Sequence, residues 1–206
     1  LAEKTYWDDP CTAFAPHVLD RNQYDPVDET LAAKMHKVIA ICQFKAEGQR
    51  ILAHPEYKLD DRLLLDKIDY KAGTIEIEGK KYKLRDTNFP TIDPMDPYKF
   101  TCEEEGMMNS LEASILQSDK LQTHIKFLYS HGALYKKVNG NLLYHGCIPM
   151  TKDGEFEDVT VNGVTKKGKA LMDYLDDQVR KAYFSPDEDE EIRRSGDLMW
   201  YLWLSK

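Results

Sequence analysis

The sequence predicts an α+β fold, helices with short antiparallel hairpins, and three observations carry that expectation. First, residues 134–149 set two apolar-rich runs around Asn139 and Gly140. Asn-Gly between such runs is a strong hairpin signal, because both central residues of a type I′ turn take φ > 0. Second, residues 74–85 alternate cleanly around Gly79, as a hairpin with one wet face does. Third, apolar residues elsewhere recur at the helical period behind capping residues. At 206 residues and 42% hydrophobic content, the chain can bury one substantial core, or a core with an appendage.

Along the chain, residues 1–27 contain Pro10, Pro16 and Pro26 and read as an irregular lead-in after one short helix. Asp28 can cap a helix that runs to about residue 52 and stops before Pro55. Its inward stripe is expected to be Leu31, Met35, Val38, Ile39 and Cys42. Asp60 and Asp61 open a short helix carrying Leu63, Leu64 and Ile68, and three prolines (Pro90, Pro94, Pro97) make residues 86–100 a loop. Thr101 and Glu104 have capping-box spacing and start a helix with Met108, Leu111 and Ile115 inward. Ser118 or Asp119 restarts it, with Leu121, Ile125 and Leu128 continuing the stripe to about residue 129.

In the hairpin that follows, Leu142, Leu143 and Tyr144 read as a buried strand that delivers His145 to its carboxyl end. There Gly146 lets the backbone turn away and another group approach closely. Asp153-Gly154 and Asn162-Gly163 mark turns, the second inside a small hairpin over residues 159–164. A helix over 169–183 carries Leu171, Leu175 and Val179. Beyond Pro186, the acidic turn from Asp187 to Glu191 suits the positive end of a last helix.

A net charge of −8 with 31% charged residues argues against nucleic acid as a partner, and no run approaches the roughly 20 apolar residues of a membrane helix. The charged opening segment does not read as a signal peptide. Cys11, Cys42, Cys102 and Cys147 are far apart without C-x-x-C spacing, which fits reduced thiols and a cytoplasmic location. No G-x-S-x-G, Walker or G-x-G-x-x-G pattern occurs. The acidic run at 187–191 lacks the ligand spacing and central glycine of an EF-hand loop. Trp200, Tyr201 and Trp203 read as packing residues, and an apolar cluster over 198–204 needs a neighbour to cover it. A piece of a longer protein is therefore expected.

Each histidine has a plain reading. His36 is a surface or half-buried helix residue, His54 complements a helix end, and His17 has no ligand pattern beside it. His124 and His131 bracket a helix end, where capping or packing is the default. His145 alone has the strand-end, glycine-followed context that metal sites favour. Zinc-type sites need three or four protein ligands, and no second ligand stands at a useful spacing. On the residues alone, both a ligand role and a packing role for His145 stay open.

The segment Asn139-Gly-Asn-Leu-Leu-Tyr-His-Gly-Cys-Ile-Pro149 resembles the class III fructose-1,6-bisphosphatases of Firmicutes and related bacteria, as do Leu63-Leu-Leu-Asp-Lys-Ile-Asp-Tyr70, Trp200-Tyr-Leu-Trp203 and the opening Leu1-Ala-Glu-Lys4. The resemblance spans essentially the whole chain. That family belongs to the calcineurin-like metallophosphoesterases, so it implies part of an α/β/β/α sandwich. His-Gly-Cys-Ile-Pro looks like the His-Gly-Gly-Leu-Ser-Pro step of serine/threonine phosphatases, which implies that His145 is a metal ligand and not an acid or base. The superfamily's other ligand motifs (D-x-H, G-D-x-x-D-R-G, G-N-H-[DE] and a later G-H-[TI]-P) are absent from this sequence and are expected outside it.

By that resemblance the chain is a single internal piece over residues 1–206. It has a helical and hairpin part over 1–130, and the His145 hairpin with its following helices over 131–206. The intact enzyme would convert fructose 1,6-bisphosphate to fructose 6-phosphate in gluconeogenesis, with the piece itself inactive. Two manganese ions would clamp the 1-phosphate and activate a bridging hydroxide for in-line attack. Partners would be the remainder of the polypeptide and a second copy in a homo-oligomer. Lys137, with its neighbour Lys136, is a candidate phosphate or sugar contact set against a solvated strand lysine. A non-catalytic structural or regulatory insert packing on a phosphatase core is the competing class.

Overall fold

Asp28 starts the longest helix by accepting a hydrogen bond from the Leu31 amide at 3.0 Å, the bond an N-cap carboxylate is placed to make. The computed structural model describes residues 1–17, 28–185 and 190–204. The lead-in around Pro26, Pro186, and the acidic residues 187–189 lie outside them. The chain divides into two compact units, Leu1–Ser114 and Ile115–Lys206. The division falls within a helix, ahead of the change of character placed at residue 130.

The first unit contains α1 (Ala2–Thr5), α2 (Glu29–Ala53), a small antiparallel sheet in the order β1 (Ile68–Asp69), β2 (Thr74–Ile77), β3 (Lys80–Lys83), and most of α3 (Cys102–Leu116). Tyr6, Cys11, Ala33, Val38 and Cys42 form its core, with Leu1, Ala2, Phe100, Met107 and Met108 packed around it. The buried face of α2 differs from the expected stripe. Met35 and Ile39 are exposed, at 55% and 43%, while Lys37 and Lys45 are fully buried. The reason is carboxylates that reach in from distant segments. Lys37 Nζ donates to Asp9 Oδ2 at 3.0 Å and to Asp86 Oδ2 at 2.7 Å, and lies 4.4 Å from the Tyr6 ring centroid. Lys45 Nζ donates to Glu104 Oε2 at 2.7 Å and to the Thr91 carbonyl at 2.6 Å. A buried lysine is tolerated only when paired and hydrogen-bonded in this way.

Residues 60–68 are not the short helix expected. They form two 3-10 turns, Asp60–Arg62 and Leu65–Lys67, that lead into β1. Leu63 and Leu65 are both buried, a two-residue spacing that an extended link between turns satisfies and a helix does not. The hairpin over 74–85 turns where expected, at Glu78 (φ 49°) and Gly79 (φ 75°). It does not have the single wet face expected, because β3 is exposed along its whole length and only Thr74 and Ile75 of β2 are half-buried. The capping box of α3 is reciprocal: Thr101 N donates to Glu104 Oε2 at 2.8 Å and Glu104 N to Thr101 Oγ1 at 3.2 Å.

The second unit contains α4 (Asp119–His131), the hairpins β4 (Tyr135–Val138)/β5 (Asn141–Tyr144) and β6 (Val159–Val161)/β7 (Val164–Lys166), and helices α5 (Gly168–Phe184) and α6 (Glu190–Leu204). Val161, Leu171, Leu175 and Leu198 form its core, joined by Leu134, Val159, Tyr174, Tyr201 and Leu202. Ser118 caps α4 through the Leu121 amide. The inward stripe expected on α3 and α4 is largely exposed: Leu111 at 42%, Ile115 at 50% and Leu128 at 63%. No residue of α4 is buried. At the last helix Leu198 is buried while Trp203 is 69% exposed. The fold class is α+β, and no described helix is long and apolar enough to cross a membrane.

Candidate functional site

The β4/β5 hairpin presents the candidate histidine. Asn139 (φ 50°) and Gly140 (φ 78°) make its turn in the left-handed region, as a type I′ turn requires. Tyr135 pairs with Tyr144, Lys136 with Leu143, Lys137 with Leu142 and Val138 with Asn141. His145 follows the strand directly and is exposed. Gly146 takes φ +80° with open space where a Cβ would stand, so backbone conformation and not crowding selects glycine there.

The hairpin departs from expectation in its burial. Leu142, Leu143 and Tyr144 are exposed at 50%, 55% and 49%. Both faces of this two-stranded ribbon are open, and Tyr135 is its one half-buried residue. Lys137 is exposed and pairs with Leu142. At about 3.4 Å per residue, its register lies roughly 10 Å along the strand from His145. The fold therefore puts both candidates on one hairpin without bringing them together.

The root of the hairpin is fastened to α5 by one polar stripe. Lys169, Asp173, Asp176 and Arg180 recur at intervals of four, three and four residues and so share a face of the helix. The Tyr135 hydroxyl donates to Asp173 Oδ1 at 2.7 Å, and the Leu134 amide to Asp176 Oδ1 at 3.2 Å. Lys169 Nζ donates to Asp173 Oδ2. That ammonium, and then the Tyr135 hydroxyl, hold the Asp173 carboxyl below the usual carboxylate range. Arg180 Nε donates to Asp176 Oδ2 at 2.8 Å, and its guanidinium also donates to the carbonyls of Tyr129 and Gly132 at the end of α4. A cavity of about 320 Å³ beside this clasp is lined by Leu128, Ala133, Leu134 and Val179, with Asp176 and Arg180 at its wall. Beyond His145 the chain returns to α5, where the Phe156 ring covers Gly168 so closely that a Cβ would stand 2.9 Å from it. Sequence reasoning missed this stripe, although its i, i+4 charge spacing was visible.

The other histidines have local partners or none that suggest a metal. His36 Nδ1 is 3.1 Å from the Phe14 carbonyl, and His131 Nδ1 is 3.2 Å from the Phe127 carbonyl. His54 lies 2.9 Å from Glu56 Oε1 and stacks on Tyr57. His17 and His124 are exposed. Among the described residues no three His, Cys, Asp or Glu side chains gather as a metal site. The donor chemistry here fits one position of a ligand set, the His145 imidazole, and does not by itself fit a two-metal centre.

The family model described as Firmicute fructose-1,6-bisphosphatase matches residues 1–206. A protein named fructose-1,6-bisphosphatase class 3 from Clostridium tetani (strain Massachusetts / E88) is 50% identical over 203 residues, 98% of this chain and 30% of that protein. Its namesakes from Clostridium novyi (strain NT) and Clostridioides difficile (strain 630) are 48% and 47% identical, over 98% and 100% of this chain. No solved structure matches the chain. The α+β units and the histidine-bearing hairpin thus sit within a phosphatase class of sequence. The chain belongs to the Firmicute fructose-1,6-bisphosphatase family. It spans about 30% of the length of the curated relatives it matches.

Proposed function

We propose that this chain is the part of a cytoplasmic, gluconeogenic fructose-1,6-bisphosphatase that supplies one metal-ligating imidazole, His145, to a catalytic centre whose other ligands lie outside it. The carrying observation is the exposed His145 at the end of β5, in a chain about half identical to proteins named fructose-1,6-bisphosphatase class 3. The open faces of the β4/β5 ribbon support a second part of the reading. An isolated two-stranded hairpin is marginal in water, and apolar strands bare on both sides fit the interior of a calcineurin-like sandwich completed by the rest of the polypeptide.

In this chain the work is one of presentation. Gly146, at φ 80°, turns the backbone directly after the exposed His145, and the α5 stripe fixes the root of the hairpin. Manganese, when bound, would supply charge neutralisation for phosphoryl transfer. His145 would hold it as a neutral ligand.

The test is phosphate release from fructose 1,6-bisphosphate with manganese. It compares the 206-residue chain with a polypeptide of the relatives' full length that carries this segment. The chain alone is expected to be inactive, because one imidazole cannot hold two ions, and the full-length form active and silenced by chelator. Chelator-sensitive turnover by the isolated chain would overturn the division of ligands.

A further inference from the structure

We infer that Asp173 is a positioning residue for His145, acting through Tyr135. This rests on the proposed role of His145 and names the element of this chain that sets its orientation. Within this chain the hairpin has few other means of holding a fixed direction. Every residue of β4 and β5 except Tyr135 is exposed, so packing within the described residues does not define how the ribbon leans.

Tyr135 is where the ribbon meets the body of the unit, and its cross-strand partner is Tyr144, the residue before His145. The Tyr135 hydroxyl donates to Asp173 Oδ1 at 2.7 Å, while Lys169 occupies Asp173 Oδ2 and stands 5.8 Å from the Tyr135 ring centroid. Asp173 projects from α5, whose other face is seated in the core through Leu171 and Leu175. The link from α5 to the strand end therefore runs from Asp173 through the Tyr135 hydroxyl to the β4/β5 register pair of Tyr135 with Tyr144, the residue before His145. Asp176, through the Leu134 amide at 3.2 Å, fixes the backbone one residue earlier.

Asp173 and Lys169 are both largely solvent-exposed, with side-chain exposures of 48% and 74%. As a stabilising ion pair they count for little. As a directional constraint they matter more, since a displacement of about 1 Å at a reacting group can cost a hundredfold in rate.

The experiment uses a full-length polypeptide carrying this segment, in four variants: Asp173→Ala, Tyr135→Phe, the two combined, and His145→Asn. The Asp173→Ala and Tyr135→Phe variants should each lose about tenfold to a hundredfold in kcat, with KM and melting temperature nearly unchanged. The double variant should lose no more than either single one, because both cut the same link. In the metal-free protein, amide hydrogen exchange over residues 135–146 should quicken in Asp173→Ala. An unchanged kcat in Asp173→Ala, where His145→Asn is inactive, would overturn the positioning role and leave the ligand role standing. Full activity in His145→Asn would overturn the ligand role itself. A parallel fall in kcat and melting temperature would mark Asp173 as merely structural and also overturn the inference.

Discussion

Lys37 is the most heavily constrained side chain of the first unit. Its ammonium is fully buried between Asp9 and Asp86 and beneath the Tyr6 ring. Removing it would leave two largely buried carboxylates without a counter-charge, so Lys37→Met should cost about 3–5 kcal/mol in urea denaturation. The cost should be smaller when Lys37→Met is combined with Asp86→Asn, and equal costs would deny the coupling. Burial pushes the Asp9 carboxyl up, but hydrogen bonds from the Cys11 amide, Asn88 and Lys37 outweigh it and bring the group from 3.8 down to about 2. A depressed carboxyl stabilises the fold above its unfolded value and loses that contribution as pH falls through the folded one. Stability of the unit should therefore drop between about pH 4 and pH 2, less so in Asp9→Asn, when unfolding is followed across that window. Burial also raises the thiols of Cys11 and Cys42, the latter to about 11. Thiol labelling of the native chain at neutral pH should modify the exposed Cys102 and Cys147 and spare this pair.

At the scale of elements, α2 shows how a helix can depend on one missing Cβ. The Tyr98 ring lies against Gly48, where a Cβ would stand 2.0 Å from Tyr98 Cδ1. Tyr98 is held there by its hydroxyl on Asp66 at 2.8 Å and by Gln49 on its carbonyl at 2.7 Å. Glycine to alanine in a helix interior ordinarily gains about 0.5–1 kcal/mol. Gly48→Ala should instead lower the melting temperature, and a Tyr98→Ala background should restore the ordinary sign.

The same helix marks what the sequence discloses. Its Asp28 cap, the Thr101/Glu104 box and the left-handed turns at 139–140 and 162–163 were legible, because each is decided by neighbours within a few residues. Which face of α2 is buried was not, since Asp86 and Glu104 reach Lys37 and Lys45 from 49 and 59 residues away. The burial expected for Leu142 to Tyr144 failed in the described residues for a related reason. Apolar composition says that a strand wants cover, not where the cover comes from. The strand-end position of His145 beside Gly146 was legible, whereas Asp173 and Arg180 make tertiary contacts that only the fold reveals.

For the whole molecule, two units with small cores coexist with apolar side chains left bare. Phe127, Leu128, Leu142, Leu143 and Trp203 are each at least half exposed, more than scattered surface residues ordinarily require. The chain accounts for about 30% of the length of its curated relatives. Supplying the remaining polypeptide is therefore expected to protect the β4/β5 amides from hydrogen exchange, and unchanged exchange there would argue that the ribbon is not an interior element. The central claim is narrower, that His145 is a ligand standing clear of the core and not a packing residue. The most direct test is manganese content and thermal stability measured together on His145→Asn in the full-length polypeptide. The account predicts reduced metal content and loss of turnover, with the melting temperature of the metal-free protein nearly unchanged. Full metal content and activity, or a fold destabilised while metal still binds, would contradict it.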